Sequence, residues 1–409
     1  MADATDPMPP TSTHLWTKEY ILLDIISFLF FTSFYLLTST FQFFVLAHGA
    51  TVGDLGFVLA VLTVTAVISR PVIGPLIDSL GRRKILLFGL ALMTVANLLY
   101  LAGNTLWVII FIRIVQGVGW SMSTTAASTM VNDIVAPDRR GEAMGFYSNF
   151  TDLAMAFGPF LGVYITRGTQ YTWLFLVGAV CTLAALLFLT GVPERRNASV
   201  SPAAGEGRVK IRFQLESRAF LPSLVLLTIT FSYASVLGYL PTFVRHAGLT
   251  HKFLGIQDYA YFYIFFALTL LFTRGPWGRV YDKRGKSLVV ISGIVLLVLA
   301  MVGLNLVRNL PEMLAFAVLF ATGFGAVQPA TLAWAVSRTP KARWGKAIST
   351  YYTAFDGGMA LAYASLGYII QLASYSAAFL TSAGILLGGL CCFAVMSSVE
   401  RRKNPSESV

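Results

Sequence analysis

Four ionisable residues lie inside long apolar stretches of this chain: Asp24, Arg113, Asp152 and Asp356. A charge at the centre of a bilayer costs at least about 2.5–3.5 kcal/mol, so each needs a partner, a water-filled cavity or a bound proton. Desolvation favours the neutral form of a carboxyl group, the property required of a proton carrier. The competing reading of Asp152 and Asp356 is a structural hydrogen bond between helices. Two further arginines, Arg70 and Arg274, stand one turn before related segments, Gly74-x3-Asp78-x2-Gly81-Arg82-Arg83-Lys84 and Gly278-x3-Asp282-x2-Gly285-Lys286. Glycine allows a tight turn and close helix packing, and Asp78 can cap a helix or pair with a neighbouring arginine. The plainer reading is a pair of basic loops, with Arg70 and Arg274 at helix ends and snorkelling toward the headgroups.

The elements that must hold these residues follow from composition. The chain has 409 residues, 56% of them hydrophobic and 12% charged, against about 25% charged in soluble domains; its mean hydropathy is +0.71. A spanning helix needs roughly 20 apolar residues. Apolar windows between turn signals place twelve spans at 21–47, 54–77, 85–103, 106–130, 142–166, 171–191, 218–244, 254–277, 288–307, 312–336, 345–370 and 376–398. A soluble enzyme with one anchor is excluded, as is a transmembrane barrel of alternating segments about 10 residues long. The expectation is an all-α polytopic membrane protein: a tail (1–20), a six-helix half (21–191), a linker (192–217), a second six-helix half (218–398) and a tail (399–409). The linker carries an amphipathic piece at Val209–Leu215. Asp152 falls about 10 residues into its span, roughly 15 Å deep at 1.5 Å per residue, near the middle of a core about 30 Å thick. Asp356 is similarly deep, Asp24 lies nearer the surface in the first turn or two of its span, and Arg113 sits in the outer half of span four.

Charge sets the orientation. With the N-terminus cytoplasmic, 23 of the 30 Lys and Arg residues fall on the inside and 4 on the outside, so the positive-inside rule places both termini in the cytoplasm. The N-terminus, Met1 to Thr17, lacks the basic stretch and apolar core of a cleaved signal peptide. The chain also repeats itself. An ungapped offset of 204 residues superimposes Asp54 on Asp258, Arg70 on Arg274, Gly74 on Gly278, Asp78 on Asp282 and Asp152 on Asp356. Coincident charges in a charge-poor chain identify a parallel repeat about an axis along the membrane normal.

The glycine-rich loop segment and its echo resemble the loop signature of the major facilitator superfamily. Arg113-x2-Gln116-Gly117-x-Gly119 is similar to that superfamily's second motif. Gly145-x12-Gly158-Pro159-x2-Gly162 resembles the signature of its twelve-helix drug:proton antiporters, with Ala154 and Val163 in place of two glycines. The resemblance implies substrate binding between the halves near the midplane and gating by the loop segments (Gly74, Asp78, Gly81, Arg82, Arg83, Asp282 and Gly285, with Arg70 and Arg274). It also implies contacts of helix 2 with helix 11 and of helix 8 with helix 5 when the cytoplasmic side is closed. Gly145, Gly158, Pro159 and Gly162 would form a hinge that limits leakage.

Other chemistry finds no support. Gly285-Lys286-Ser287 ends like a phosphate loop, but Val280 stands where that loop needs glycine. The four histidines (14, 48, 246, 251) have no metal-ligand spacing, and the three cysteines lie in apolar runs. The expectation is a transporter rather than an enzyme, without cofactor or metal, working as a monomer in the plasma membrane, the bacterial inner membrane in particular. Its partners would be a small-molecule substrate, protons and the lipid bilayer, with no nucleic acid. The resemblance favours proton-coupled export of small apolar or cationic compounds. An uptake symporter or facilitator for a sugar or carboxylate, and a non-transporting sensor on the same fold, are the other readings.

Overall fold

A computed structural model describes residues 15–135, 139–166, 171–193, 215–249, 252–253, 256–340 and 343–403. The expected amphipathic piece at Val209–Leu215 lies almost wholly outside the described residues. The chain forms α1 (Lys18–Thr38), α2 (Phe41–Ala47), α3 (Val52–Leu80), α4 (Arg82–Leu99), α5 (Leu106–Ile134), α6 (Arg140–Thr166) and α7 (Tyr171–Leu189). The second half comprises α8 (Phe220–His246), α9 (Asp258–Arg284), α10 (Lys286–Gly303), α11 (Leu310–Ser337), α12 (Trp344–Leu372) and α13 (Tyr375–Lys403). A two-residue hairpin, Lys252–Phe253 with Ile256–Gln257, precedes α9.

Helices begin and end where side chains satisfy their free backbone groups. The Thr51 hydroxyl accepts from the Asp54 amide while the Asp54 carboxylate accepts from the Thr51 amide, a capping box. Thr17, Thr105 and Asn309 cap α1, α5 and α11 by accepting from the Tyr20, Val108 and Glu312 amides, without the reciprocal bond. Gly81 (φ +93°) and Gly285 (φ +77°) join α3 to α4 and α9 to α10 through a backbone conformation that favours glycine.

The first expected span is broken. α1 ends at Thr38 and α2 starts at Phe41, so α1 and α2 together make one pass and the thirteen helices of the described residues make twelve. The Ser39 hydroxyl donates to the Pro159 carbonyl of α6 at 2.9 Å and fixes the break there. Twelve passes return the chain to the face on which it began, here the terminal face; the other is the far face.

Nine helices among the described residues are long and apolar enough to cross a membrane by composition alone. α6, α9 and α12, with 27, 27 and 29 residues, have the length, at 1.5 Å per residue, but are more polar. The packing explains the difference. Within the first half α1 packs on α6 and α7, and α5 on α3 and α4; within the second, α8 packs on α12 and α13, and α11 on α9 and α10. The halves meet through α3 against α12 and α6 against α9. Three of the four interface helices are thus the polar ones, while exposed Val180, Leu187, Phe272 and Leu299 present the outward, lipid-compatible surface.

The repeat survives in the packing. A Cβ on Gly119 would lie 2.9 Å from the Gly89 carbonyl, and one on Gly323, its counterpart at the 204-residue offset, 2.6 Å from the Gly293 carbonyl. The close crossings of α4 with α5 and of α10 with α11 therefore rest on equivalent glycines.

Candidate functional site

The four charges that coincide under the repeat come together between the halves, and they pair crosswise. Arg70 on α3 donates through Nε (2.8 Å) and Nη2 (2.5 Å) to Oδ2 of Asp356 on α12. Arg274 on α9 forms an ion pair with Asp152 on α6. Each arginine lies ten residues before the end of its helix, at Leu80 or Arg284. Each aspartate lies twelve after a helix start, at Arg140 or Trp344. At 1.5 Å per residue the pairs sit about 15–18 Å in from the terminal ends, near mid-depth. Both arginines are therefore inside the protein, which removes the plainer reading of snorkelling at helix ends; α3 and α9 run on past the expected ends of their spans.

Neighbouring side chains complete each pair. Arg70 Nη1 donates to Thr125 Oγ1 at 3.1 Å, and its guanidinium lies 6.0 Å from the Tyr352 ring centroid. The Trp120 indole stands beside Asp356. Arg274 Nη2 donates to Gln328 Oε1 at 2.9 Å, while its Nε meets no acceptor among the described residues. A buried ion pair is stable only when further hydrogen bonds satisfy what the partner leaves open, and Thr125 and Gln328 meet that need on opposite sides of the axis.

Toward the far face the same helix faces close. Helical positions four, seven or eleven apart share a face. On the faces of Arg70 and Asp356 this row runs through Leu59 and Gly56 on α3 and through Tyr363 and Gly367 on α12. A Cβ on Gly56 would lie 2.5 Å from the Tyr363 carbonyl and 3.0 Å from Gly367 Cα, so backbone touches backbone. At the edge, Gln371 Oε1 accepts from the Gly53 amide at 3.0 Å, capping the first turn of α3 from the other half. Phe43 beside α8 and α9 adds the Arg245 guanidinium at 5.5 Å and the Tyr259 ring at 6.0 Å.

Toward the terminal face the same rows look into open space. Gly74, four residues beyond Arg70, Gly278, four beyond Arg274, and Gly145, seven before Asp152, would each carry a Cβ with nothing within 4 Å. Ser349, seven before Asp356, is exposed. The halves thus separate at the level of the two ion pairs, joined on the far side and parted on the terminal side. This arrangement makes Gln371 testable. Gln371→Ala removes one cap, worth about 0.5–1.5 kcal/mol, and should reduce occupancy of the far-closed form roughly two- to tenfold. Maleimide labelling of Gly74→Cys should slow correspondingly, and an unchanged rate would show that Gln371 is not a latch.

The other expected site residues lie elsewhere. Arg113 is buried in the first half with its guanidinium 3.7 Å from the Phe41 ring centroid. Its Nη1 donates to Gln116 Oε1 at 3.1 Å, an oxygen that also accepts from the Tyr100 hydroxyl at 3.0 Å. It meets no acid among the described residues. Asp24 is fully buried beside Tyr20 and Tyr147 and forms no ion pair among the described residues. Gly158 and Gly162 admit the α1 backbone: a Cβ on Gly162 would run into the Leu36 carbonyl. With Pro159 they form a seam between α6 and α1, not between the halves. In the loops, Arg82 Nε donates to Asp133 at 3.0 Å and Arg83 reaches the Leu189 carbonyl, both within one half. Asp282 is exposed, and the Asp78 side chain lies outside the described residues.

Sequence reasoning missed Gln328, Thr125, Gln371 and the Gly56–Gly367 contact. Gln328, an amide inside an apolar run, carried a visible signal; the glycines did not, because they are not repeat mates.

Aromatic rings surround the pairs. Trp120 stacks on Phe34 at 4.0 Å and meets Phe31 at 5.0 Å, while Tyr233 lies 4.9 Å from Phe324 and 6.4 Å from Phe355. Between Met155, Tyr233, Tyr263 and Phe266 a cavity of about 10 Å³ remains, room for at most one water.

A family model described as Major Facilitator Superfamily matches residues 23–304 and 260–409. Multidrug resistance protein 3 of Bacillus subtilis (strain 168) is 30% identical over 149 residues, covering 35% of this chain and 29% of that protein. The chain therefore matches under a third of that relative's length. Multi-drug resistance efflux pump PmrA of Streptococcus pneumoniae is 27% identical over 297 residues, 70% of this chain and 72% of the pump. Among solved structures, that of the human organic anion transporter MFSD10 (TETRAN) superimposes with a TM-score of 0.71, covering 94% of this chain and all of that one. At 17% identity this likeness is one of fold.

Proposed function

The chain belongs to the Major Facilitator Superfamily, a family of membrane transporters, and from that premise we propose that it is a proton-coupled antiporter exporting small apolar or cationic organic compounds. The observation that carries the reading is the crossed pair of ion pairs at the level where the halves part. A carboxylate that binds the opposite half only while ionised links the position of the halves to a proton. The aromatic rings beside it offer apolar surface, and their faces attract cations by about 0.5–2 kcal/mol each. The relatives named as drug-resistance pumps support the same reading.

With the terminal face cytoplasmic, as the excess of basic residues on that side favours, the structure is the form open to the cytoplasm and closed to the outside. Substrate enters between the halves and settles against the aromatic wall near the acids. Closure of the terminal side and opening of the far side expose the site outward. A proton from outside then neutralises an acid and substrate leaves. The return step carries the proton inward. Exchange of one proton for a neutral molecule releases about 2.3 kcal/mol per 100 mV; exchange for a monovalent cation moves no net charge and draws only on the pH difference, about 1.4 kcal/mol per unit.

The test uses acid-loaded proteoliposomes oriented terminal face outward, with cationic, neutral and anionic compounds added in turn. The wild type should release protons with one compound class, and Asp152→Asn should lose that release by tenfold or more. Tracer flux without proton movement in the wild type would refute antiport. A second reading, uptake of an organic anion, draws on Arg113, whose buried guanidinium has no acid beside it among the described residues; inward anion flux accompanied by protons would establish it.

A further inference from the structure

We infer that the two crossed ion pairs, equivalent by repeat, divide the work: Asp152 is the acid that exchanges its proton, and Arg70–Asp356 stays joined as the pivot about which the halves rock. The inference rests on the transporter reading above and refines which acid acts.

Four differences between equivalent positions carry it. The Arg70 and Asp356 side chains are 7% and 4% exposed, whereas Arg274 and Asp152 are 14% and 16% exposed, so water from the parted side reaches the second pair more readily. Arg70 places two donors on Asp356 and its remaining nitrogen on Thr125. Arg274 pairs with Asp152 through Nη1 and with Gln328 through Nη2, while its Nε meets no acceptor among the described residues, so it is held less completely and Gln328 can keep the guanidinium when Asp152 releases it. The helices differ as well. α6 contains Pro159 two turns beyond Asp152, and proline removes a backbone hydrogen bond and permits bending; its counterpart in α12 is Tyr363, with no interruption. Lastly, α3 and α12 meet at Gly56 and Gly367, while the equivalent positions on α9 and α6 are Ala260 and Val163. One seam is tight and continuous, the other looser and bendable.

In the proposed step a proton from water joins the Asp152 carboxylate, its negative charge is lost, and Arg274 passes to Gln328. The charged and titratable groups facing Asp152 among the described residues are Arg274 from α9, Tyr35 from α1 and Tyr352 from α12.

The experiment reads conformation directly. Gly74→Cys is introduced after alanine replaces Cys181, Cys391 and Cys392, and its labelling by a membrane-impermeant maleimide is followed against pH in proteoliposomes. Because maleimide reacts with the thiolate, each rate is divided by that of the same cysteine in the denatured chain at the same pH, and the parent's corrected rate should change at least threefold with pH. Asp152→Asn should flatten that dependence, whereas the paired replacement Arg70→Met/Asp356→Leu should keep it with the same midpoint. Should the dependence persist in Asp152→Asn and vanish in the paired variant, the roles are reversed and the inference falls. A parent chain without pH dependence also overturns it. The antiport reading fails separately: labelling would respond to pH, but no compound that crosses the membrane would release protons.

Discussion

Gly56→Leu should abolish transport while leaving the protein folded. In the present arrangement even a Cβ at this position would lie 2.5 Å from the Tyr363 carbonyl and 3.0 Å from Gly367 Cα. Both obstacles are backbone, on a helix of the other half, so neither can move aside as a flexible side chain would. Overpacking typically costs about 1–3 kcal/mol, which lowers the population of the far-closed form roughly 5- to 150-fold. The strain exists only when the far face is shut, so the variant should accumulate in a form open at that face. Substrate flux should fall at least tenfold, and Gly74→Cys should become resistant to maleimide from the terminal side, with an unchanged gel-filtration profile. Gly74→Leu is the control for folding and for the far-closed population, not for flux, because that position faces open space in this form but would meet the other half when the terminal side closes. Full transport by Gly56→Leu would mean that the contact is not part of the cycle.

The second large effect concerns stability. Arg70→Met leaves Asp356 buried and ionised without its cation, and breaking one partner of a buried pair costs about 3–5 kcal/mol. A clear drop in melting temperature in detergent is expected, with loss of monodisperse protein in the worst case. Replacing both partners, Arg70→Met/Asp356→Leu, should restore most of the loss, because apolar side chains of similar volume remove the desolvation cost together with the attraction. A double variant as unstable as the single one would show that Arg70 acts through Thr125 or Tyr352 instead.

How far the sequence foretold this interface depends on the kind of signal. Arg70, Arg274, Asp152 and Asp356 stood out because charges are scarce and recur at one offset. Their partners did not stand out: an arginine in one half could as well have met the aspartate of its own half, and only the packing of α3 on α12 and α6 on α9 decides for the crossed arrangement. The break between α1 and α2 was hidden because Thr38-Ser39-Thr40 is short, uncharged and free of Gly and Pro; a hydroxyl bonded to a carbonyl 120 residues away ends the helix. Arg82 and Arg83 were expected to gate; with the terminal side parted, Arg82 donates to Asp133 and Arg83 to the Leu189 carbonyl, within one half. Basic residues at helix ends satisfy local acids and carbonyls so readily that spacing alone does not reveal a longer-range role. The Gly56–Gly367 seam had no signal, since 35 glycines occur and only geometry selects two.

The crossed pairing also shapes the field at the centre of the molecule. A twofold axis along the membrane normal reverses any lateral vector, so the lateral dipole of Arg70–Asp356 opposes that of Arg274–Asp152. Two opposed dipoles form a quadrupole, with no net charge and a potential that fades faster with distance than that of a dipole. A molecule approaching from the parted side is therefore neither drawn nor repelled by these four charges until it is nearly in contact, and aromatic surface and shape govern its entry. One proton on either acid cancels that balance and leaves a guanidinium charge uncompensated. The floor of the opening turns from neutral to positive, and a bound cation meets repulsion of a range that the resting arrangement lacks.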